Sequence, residues 1–118
     1  MIRPGGDVAV YLCREPVDMR KSMDGLSLLV QEVMGCDPFA AAVFVFCNRA
    51  RDKIKILFWE RNGFVVWYKR LEQERFQWPE CGERERVTLT GQELNWLLDG
   101  IDITRLQPHK ALHFQAVG

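Results

Sequence analysis

The sequence predicts an α+β domain, in which an antiparallel β-meander sheet of four to five strands has two main helices packed on one face. Three observations lead to this class. Strand-like apolar runs follow one another in the middle of the chain. The pair Asn62-Gly63 between two of these runs is a strong hairpin signal, because a type I′ turn needs positive φ at both central residues. Two further segments have apolar residues at the helical spacings of three and four.

The first elements along the chain are predicted to be a strand and a helix. Residues 8–13 (VAVYLC) form a short apolar run that is typical of a strand. Residues 24–34 predict a helix, with Asp24 as its N-cap and Gly35 just beyond its C-terminal end. The apolar face of this helix consists of Leu26, Leu29, Val30 and Val33.

The meander is predicted from residues 42–47, 53–60 and 64–71. If Asn62 and Gly63 form a two-residue loop, Arg61 pairs with Phe64, and side chains alternate between the two faces of the hairpin. One face is then apolar and consists of Ile54, Ile56, Phe58, Val65 and Trp67. The other face has cations at one end and aromatic rings in its middle, and it consists of Lys53, Lys55, Leu57, Trp59, Arg61, Phe64, Val66, Tyr68 and Arg70.

This mixed second face allows two interpretations. On a nucleic-acid surface, its cations would meet phosphates and its rings could stack on bases. Alternatively, a helix covers the aromatic stripe while the long Lys and Arg side chains reach solvent at its rim. The residues of the hairpin are compatible with both.

The last third of the chain predicts an edge strand over residues 75–79, a charged loop over 80–86 and a helix over 88–98. Thr90 and Glu93 match a capping box at the start of that helix. We expect a flexible N-terminus over residues 1–7, a single α+β domain over 8–104 and a weakly patterned C-terminal tail over 105–118.

Composition describes an ordinary globular protein with an uneven distribution of charge. The 118 residues fit one domain, and 16 basic and 16 acidic residues cancel. Residues 48–75 nevertheless carry eight basic and four acidic groups, so the middle of the chain is locally basic. The four cysteines show no metal or disulfide pattern, residues 1–7 do not read as a signal peptide, and no apolar run is long enough to cross a membrane. We therefore expect a cytoplasmic protein.

No catalytic pattern is recognisable in the sequence. Its carboxylates lie beside turns and helix ends, where capping explains them, and no phosphate-binding Gly-rich loop is present. His109 and His113 have a spacing that could hold a metal on a helix, but no third ligand is evident. Cys47 ends an apolar strand and is expected to be an inert thiol. The sequence thus predicts a protein without catalytic residues, metal or cofactor.

A second cationic feature precedes the first helix, in the segment Asp18-Met-Arg-Lys21. The helix dipole disfavours cations at this position. Arg20 and Lys21 could therefore hold an external phosphate, or the segment could be a solvated turn.

Longer stretches of the chain are similar to a known family. They are residues 16–26 (PVDMRKSMDGL), 44–72, 75–79 (RFQWP) and 89–102 (LTGQELNWLLDGID), and together they cover most of the chain in order. In these stretches the sequence resembles the TnpB accessory proteins of bacterial insertion-sequence family sixty-six, the products of the element's second reading frame. The resemblance implies an accessory role in transposition beside a separate transposase, and it carries over no catalytic residue.

With this resemblance, contact with DNA becomes the favoured interpretation of the basic segment. The candidate phosphate-binding residues are Arg49, Arg51, Lys53, Lys55, Lys69, Arg70, Arg20 and Lys21, with Trp59 and Tyr68 as candidate aromatic contacts. The alternative is a module that binds only protein, since interfaces are rich in Trp, Tyr and Arg. The expected partners are the element's transposase, DNA and, through an exposed sheet edge, a second copy of the chain.

Overall fold

The structure is a computed structural model that describes residues 8–80, 82–84 and 86–106. The strands are β1 (Ala9–Cys13), β2 (Ala42–Cys47), β3 (Lys53–Glu60), β4 (Gly63–Arg70) and β5 (Arg86–Leu89). The helices are α1 (Met23–Glu32), α2 (Gly91–Leu98) and the short α3 (Ile103–Leu106). The expected flexible N-terminus, and the tail from residue 107 onward, lie outside the described residues.

The strands form one five-stranded sheet in the order β4-β3-β2-β1-β5. Strands β2, β3 and β4 pair antiparallel as neighbours in sequence, so the predicted meander is confirmed. Strand β1 pairs parallel with β2, because the chain returns through α1 before it re-enters the sheet, and β5 pairs antiparallel with β1. The predicted α+β class is therefore confirmed, with one parallel strand pair.

The two main helices lie on opposite faces of the sheet, so the expectation that both pack on one face was wrong. Leu94, Leu97 and Leu98 of α2 belong to one buried cluster with Val43 and Val45. On the other face, a second cluster contains Leu26, Val30 and Met34 with Phe44 and Phe46. All six residues of β2 are buried. A continuous apolar strand such as AVFVFC is typical of burial on both faces, and this signal argues for a helix on each side.

The hairpin register differs from the predicted one by two residues. Trp59 pairs with Phe64, and the two-residue connection is Arg61-Asn62 instead of Asn62-Gly63. A shift of two residues keeps every side chain on its predicted face, so the alternation of apolar residues cannot distinguish the two registers. The observed register brings the rings of Trp59 and Phe64 to 5.0 Å in an edge-to-face contact, and it leaves positive φ on Arg61.

The fifth strand is not the predicted one. Residues 75–79 form no strand, because Phe76 donates its backbone N–H to the carbonyl of Arg51 (2.7 Å) and buries its ring. The outer partner of β1 is instead β5, in a segment that was predicted to be a charged loop followed by a helix. Its exposed Arg86 and Thr88 alternate with the inward Val87 and Leu89, a pattern too short to distinguish from loop sequence.

The helix ends are held partly by local and partly by distant residues. The predicted capping box of α2 is confirmed: Glu93 donates its N–H to Thr90 Oγ1, and Thr90 donates its N–H to Glu93 Oε1. Gly35 has positive φ beyond α1, as its place in the sequence predicts, whereas the N-cap of α1 is Ser22 and not Asp24.

Neither α1 nor α2 has a basic residue in its last turn. Instead, cations on two strands donate hydrogen bonds to carbonyls at the C-terminal ends of these helices. Lys69 Nζ of β4 donates to the carbonyl of Leu98 at 2.7 Å, and Arg86 Nη1 of β5 donates to the carbonyl of Met34. Each contact places a positive charge at the negative end of a helix dipole.

Candidate nucleic-acid interface

Cations gather on the α1 side of the hairpin, at the end remote from its turn. The β3–β4 register sets Lys53 opposite Arg70 and Lys55 opposite Tyr68. Directly opposite residues project from the same face of a sheet, so these four side chains are neighbours. Lys55 Nζ donates to the backbone carbonyl of Lys21 (3.1 Å), which brings the start of α1 to the same place. We call these five residues, Lys21, Lys53, Lys55, Tyr68 and Arg70, the basic face.

The charge of the basic face is only partly balanced within the chain. Arg70 contacts Glu72 at 3.0 Å and Lys53 contacts Asp52 at 3.6 Å. The exposed Arg70–Glu72 pair is a weak interaction, and Lys53 and Asp52 are half-buried with a longer contact. Within the part of the chain that the structure describes, neither Lys21 nor Lys55 has an ion-pair partner. The face therefore keeps a net positive charge around the exposed ring of Tyr68.

Arg20 lies next to Lys21, but its guanidinium is engaged by Asp18. Nε and Nη2 of Arg20 donate to the two carboxylate oxygens of Asp18 at 3.1 and 2.8 Å. These hydrogen bonds lower the pKa of Asp18 from its usual 3.8 to about 2. The Asp18–Arg20 pair is electrically neutral at neutral pH, so Lys21 alone carries the net charge that precedes α1.

Two of the residues predicted to join these cations lie elsewhere. Lys69 pairs with Ile54 on the opposite face of the sheet, where its ammonium holds the end of α2. Trp59 lies six residues along β3 from Lys53, a distance of roughly 20 Å at 3.3 Å per residue. Its ring packs against Phe39 and Phe64, each at a centroid distance of 5.0 Å.

The remaining two cations, Arg49 and Arg51, lie on the turn between β2 and β3. Asn48 organises this turn: its Oδ1 accepts the N–H groups of Asp52 and Lys53, and its Nδ2 donates to Asp52. Arg49 is exposed at the tip, beside the Lys53 end of the basic face. Arg51 has φ of 62°, a conformation that is strained for a long side chain.

The side chain of Arg51 takes part in a second feature, which the sequence did not predict. Its guanidinium carbon lies 5.3 Å from the centroid of the Trp78 ring, and the two line a cleft of about 680 Å³ with Arg14 and Arg75. We call these four residues the arginine cleft. The sequence signal for this cleft is the stretch RFQWP at residues 75–79, which combines a cation with two aromatic rings, although its apolar content predicts an edge strand.

Cys47 lies beside Arg51 but does not balance its charge. Burial raises the pKa of the Cys47 thiol to about 11, although the neighbouring guanidinium acts in the opposite direction. The thiol is therefore neutral at physiological pH, in keeping with the expected inert role.

Among the described residues, no group of three or more His, Cys, Asp or Glu side chains is placed to hold a metal ion. The pair His109 and His113 lies outside the described residues. No helix in the described ranges combines the length and the apolar character that crossing a membrane requires.

The fold and these surfaces define a small α+β sheet protein whose unbalanced cations gather at one end of a hairpin. The chain belongs to the family described as IS66 Orf2 like protein, whose model matches residues 8–108. This membership establishes an accessory role in the transposition of an insertion sequence, in agreement with the resemblance of the sequence.

Two similar proteins come from Sinorhizobium fredii (strain NBRC 101917 / NGR234). The uncharacterized protein y4jC is 29% identical over 107 residues, which cover 91% of each chain. The uncharacterized protein y4hO is 33% identical over 102 residues, which cover 86% of this chain and 88% of the relative. No solved structure matches the chain.

Proposed function

We propose that this protein is a non-catalytic accessory factor that binds the DNA of its insertion sequence through the basic face, extended by Arg49. One observation carries the proposal: the β3–β4 register and the Lys55–Lys21 contact bring together cations from two separate parts of the sequence. Residues that only keep a sheet soluble have no need to converge in this way. Lys and Arg clusters at such spacing neutralise successive phosphates and release counterions.

The mode of binding follows from the side chains that are present. Tyr68 is the one aromatic ring of the basic face, and it is 48% exposed. Four cations and one ring favour contact with the DNA backbone over the reading of base edges, for which a groove-filling element is usual. Binding of this kind is weak, tolerant of sequence and strongly dependent on salt.

The test is a titration of labelled element-end DNA and of unrelated DNA at several salt concentrations. The combined substitution Lys21→Ala and Lys55→Ala should weaken binding to both and reduce the salt slope by about two. Arg61→Ala is the matched control, because it removes one exposed cation at the far end of the same hairpin. Equal affinities and slopes for the wild type and the double variant would refute the proposal, whereas preference for the element ends would add specificity.

A second candidate function is docking on the transposase without contact to DNA. It is favoured by the aromatic cluster of Phe39, Trp59 and Phe64, in which Phe39 is 55% exposed. Exposed aromatic rings near a sheet end are typical anchors of protein interfaces.

Salt distinguishes the two functions. Docking through aromatic rings should persist at 1 M salt, where phosphate contacts are lost. In a binding assay with the purified transposase of the element, Phe39→Ala should weaken the complex, whereas Leu28→Ala, which truncates a comparably exposed apolar residue on α1, should not. No complex with the transposase at any salt concentration would exclude this function.

A further inference from the structure

We propose that the arginine cleft is a binding site for a phosphate group, separate from the basic face. The cleft is lined by the side chains of Arg14, Arg51, Arg75 and Trp78 and measures about 680 Å³. It extends the proposed function by adding a phosphate subsite, but it can be tested without DNA.

The first argument is the presence of two buried donors without a partner. Arg51 Nη1 and Trp78 Nε1 are both inaccessible and make no hydrogen bond within the structure. Buried donors are almost always satisfied in native proteins, so this pair requires an acceptor. Because both atoms are covered in this conformation, an anion in the adjoining cleft reaches them only when the Arg51 or Trp78 side chain shifts. The two groups also touch each other, since the guanidinium of Arg51 lies over the Trp78 ring.

The second argument is that backbone hydrogen bonds hold Arg51 in a strained conformation. Its φ of 62° lies in the left-handed region. The conformation is maintained by two hydrogen bonds: the N–H of Arg51 donates to the carbonyl of Asn48 (3.1 Å), and its carbonyl accepts the N–H of Phe76 (2.7 Å). A long side chain kept in a strained conformation and pointed at a cleft is typical of a ligand site.

The third argument is charge. Three arginines line the cleft, against one carboxylate, Glu80. Arg14 contacts Glu15 at 3.3 Å, an exposed pair that a ligand can displace, and Arg51 has no ion-pair partner among the described residues. Glu15, Glu80 and, through its interaction with Arg75, Asp52 offset part of this charge, whereas no described ion pair balances the guanidinium of Arg51.

The number of donors favours phosphate over a carboxylate. A guanidinium fork can bind two oxygens of either anion. The lining of this cleft contains three guanidinium groups and an indole N–H, which together offer more donors than the two oxygens of one carboxylate can accept. A phosphate group offers additional oxygens. The Trp78 ring is covered by Arg51 and packs against the core beneath α2, so it contributes its N–H edge and not a stacking face.

The test is an NMR titration of the full chain that follows the indole N–H of Trp78, assigned by its loss in Trp78→Phe. Inorganic phosphate at millimolar concentration should shift this resonance with saturation, and sodium acetate at equal ionic strength should not. Arg51→Lys retains the charge but removes the fork, and it should weaken phosphate binding about 10- to 100-fold. Arg75→Ala, at an exposed position of the cleft, should also weaken binding and carries little risk to folding. Arg61→Ala is the control, because Arg61 also has positive φ (55°) but lies outside the cleft.

The outcomes separate the cleft from the proposed function. Saturable phosphate binding that Arg75→Ala weakens and Arg61→Ala leaves unchanged would support the cleft even if the protein bound no DNA. A short single-stranded oligonucleotide that shifts the same resonance at lower concentration than inorganic phosphate would identify nucleic acid as the source of the phosphate. No shift with phosphate, or an equal shift with acetate, would overturn the assignment, even if DNA binding through the basic face were intact.

Discussion

Replacing Lys69 by Met should destabilise the fold without weakening DNA binding. The ammonium of Lys69 lies 2.7 Å from the carbonyl of Leu98, at the C-terminal end of α2. A hydrogen bond from a charged donor contributes about 1.5–3 kcal/mol, and a cation at a helix C-terminus about 0.3–1 kcal/mol. Because the site is only partly buried, we expect the free energy of unfolding to fall by about 1–2 kcal/mol. Met retains the apolar stem, so the loss reports on the ammonium.

The assay is urea unfolding followed by tryptophan fluorescence, with DNA affinity measured on the same samples. Lys55→Met is the matched control: its ammonium donates to a backbone carbonyl at 3.1 Å on the exposed side of the same hairpin. That variant should lose less than about 0.5 kcal/mol but should bind DNA more weakly. If Lys69→Met left stability unchanged and reduced DNA affinity, the structural role of Lys69 would be refuted. Lys69 would then count among the cations proposed to contact DNA.

Three further perturbations test the same structure. Arg86→Met should reduce the free energy of unfolding by about 1–2 kcal/mol in the urea assay, because it removes the cation that caps α1; an unchanged midpoint would contradict that role. Thr90→Ala should cost about 1 kcal/mol through loss of the capping box, and Thr90→Ser should restore most of it. The Asp18 carboxyl should titrate near pH 2 by NMR, and its pKa should rise in Arg20→Ala but stay below 3.8, because the backbone N–H of residue 20 still donates to Asp18 Oδ1. Since its pKa is lowered in the fold, its stabilising effect is present above about pH 4 and disappears as the pH falls through 2; a midpoint unaffected by Arg20→Ala would exclude this pair.

The sequence predicts the fold wherever a local rule decides the outcome. Helical spacing, the Thr90–Glu93 capping box and the glycine beyond α1 identified the helices, and alternation assigned hairpin residues to their faces. Pairing and layering depend on contacts between distant segments. The registers predicted and observed for the hairpin place the same residues on the same faces, so only the packing of rings such as Trp59 on Phe64 distinguishes them.

The candidate site also depends on contacts between distant segments, which local sequence patterns do not predict. Lys53, Lys55 and Arg70 could be grouped from sequence, because alternation along one hairpin already places them on one face. The contact with Lys21 spans 34 residues and the contact of Lys69 with Leu98 spans 29, and no local pattern contains either. The arginine cleft joins the turn after β2 to residues 75–78 through the bond from Phe76 to Arg51. A local excess of charge therefore located the basic segment without revealing which cations cap helices, line a cleft or face solvent.

This division of the cations sets a limit on the DNA affinity expected from the proposed surface. The basic face and Arg49 offer five cations, of which Arg70 and Lys53 have carboxylates nearby. At about 0.9 per phosphate contact, the slope of log affinity against log salt should lie between about −3 and −4.5. Such a slope describes weak binding at physiological salt. A measured slope much steeper than −4.5 would require cations beyond this surface, and the arginines of the cleft would be the first to examine.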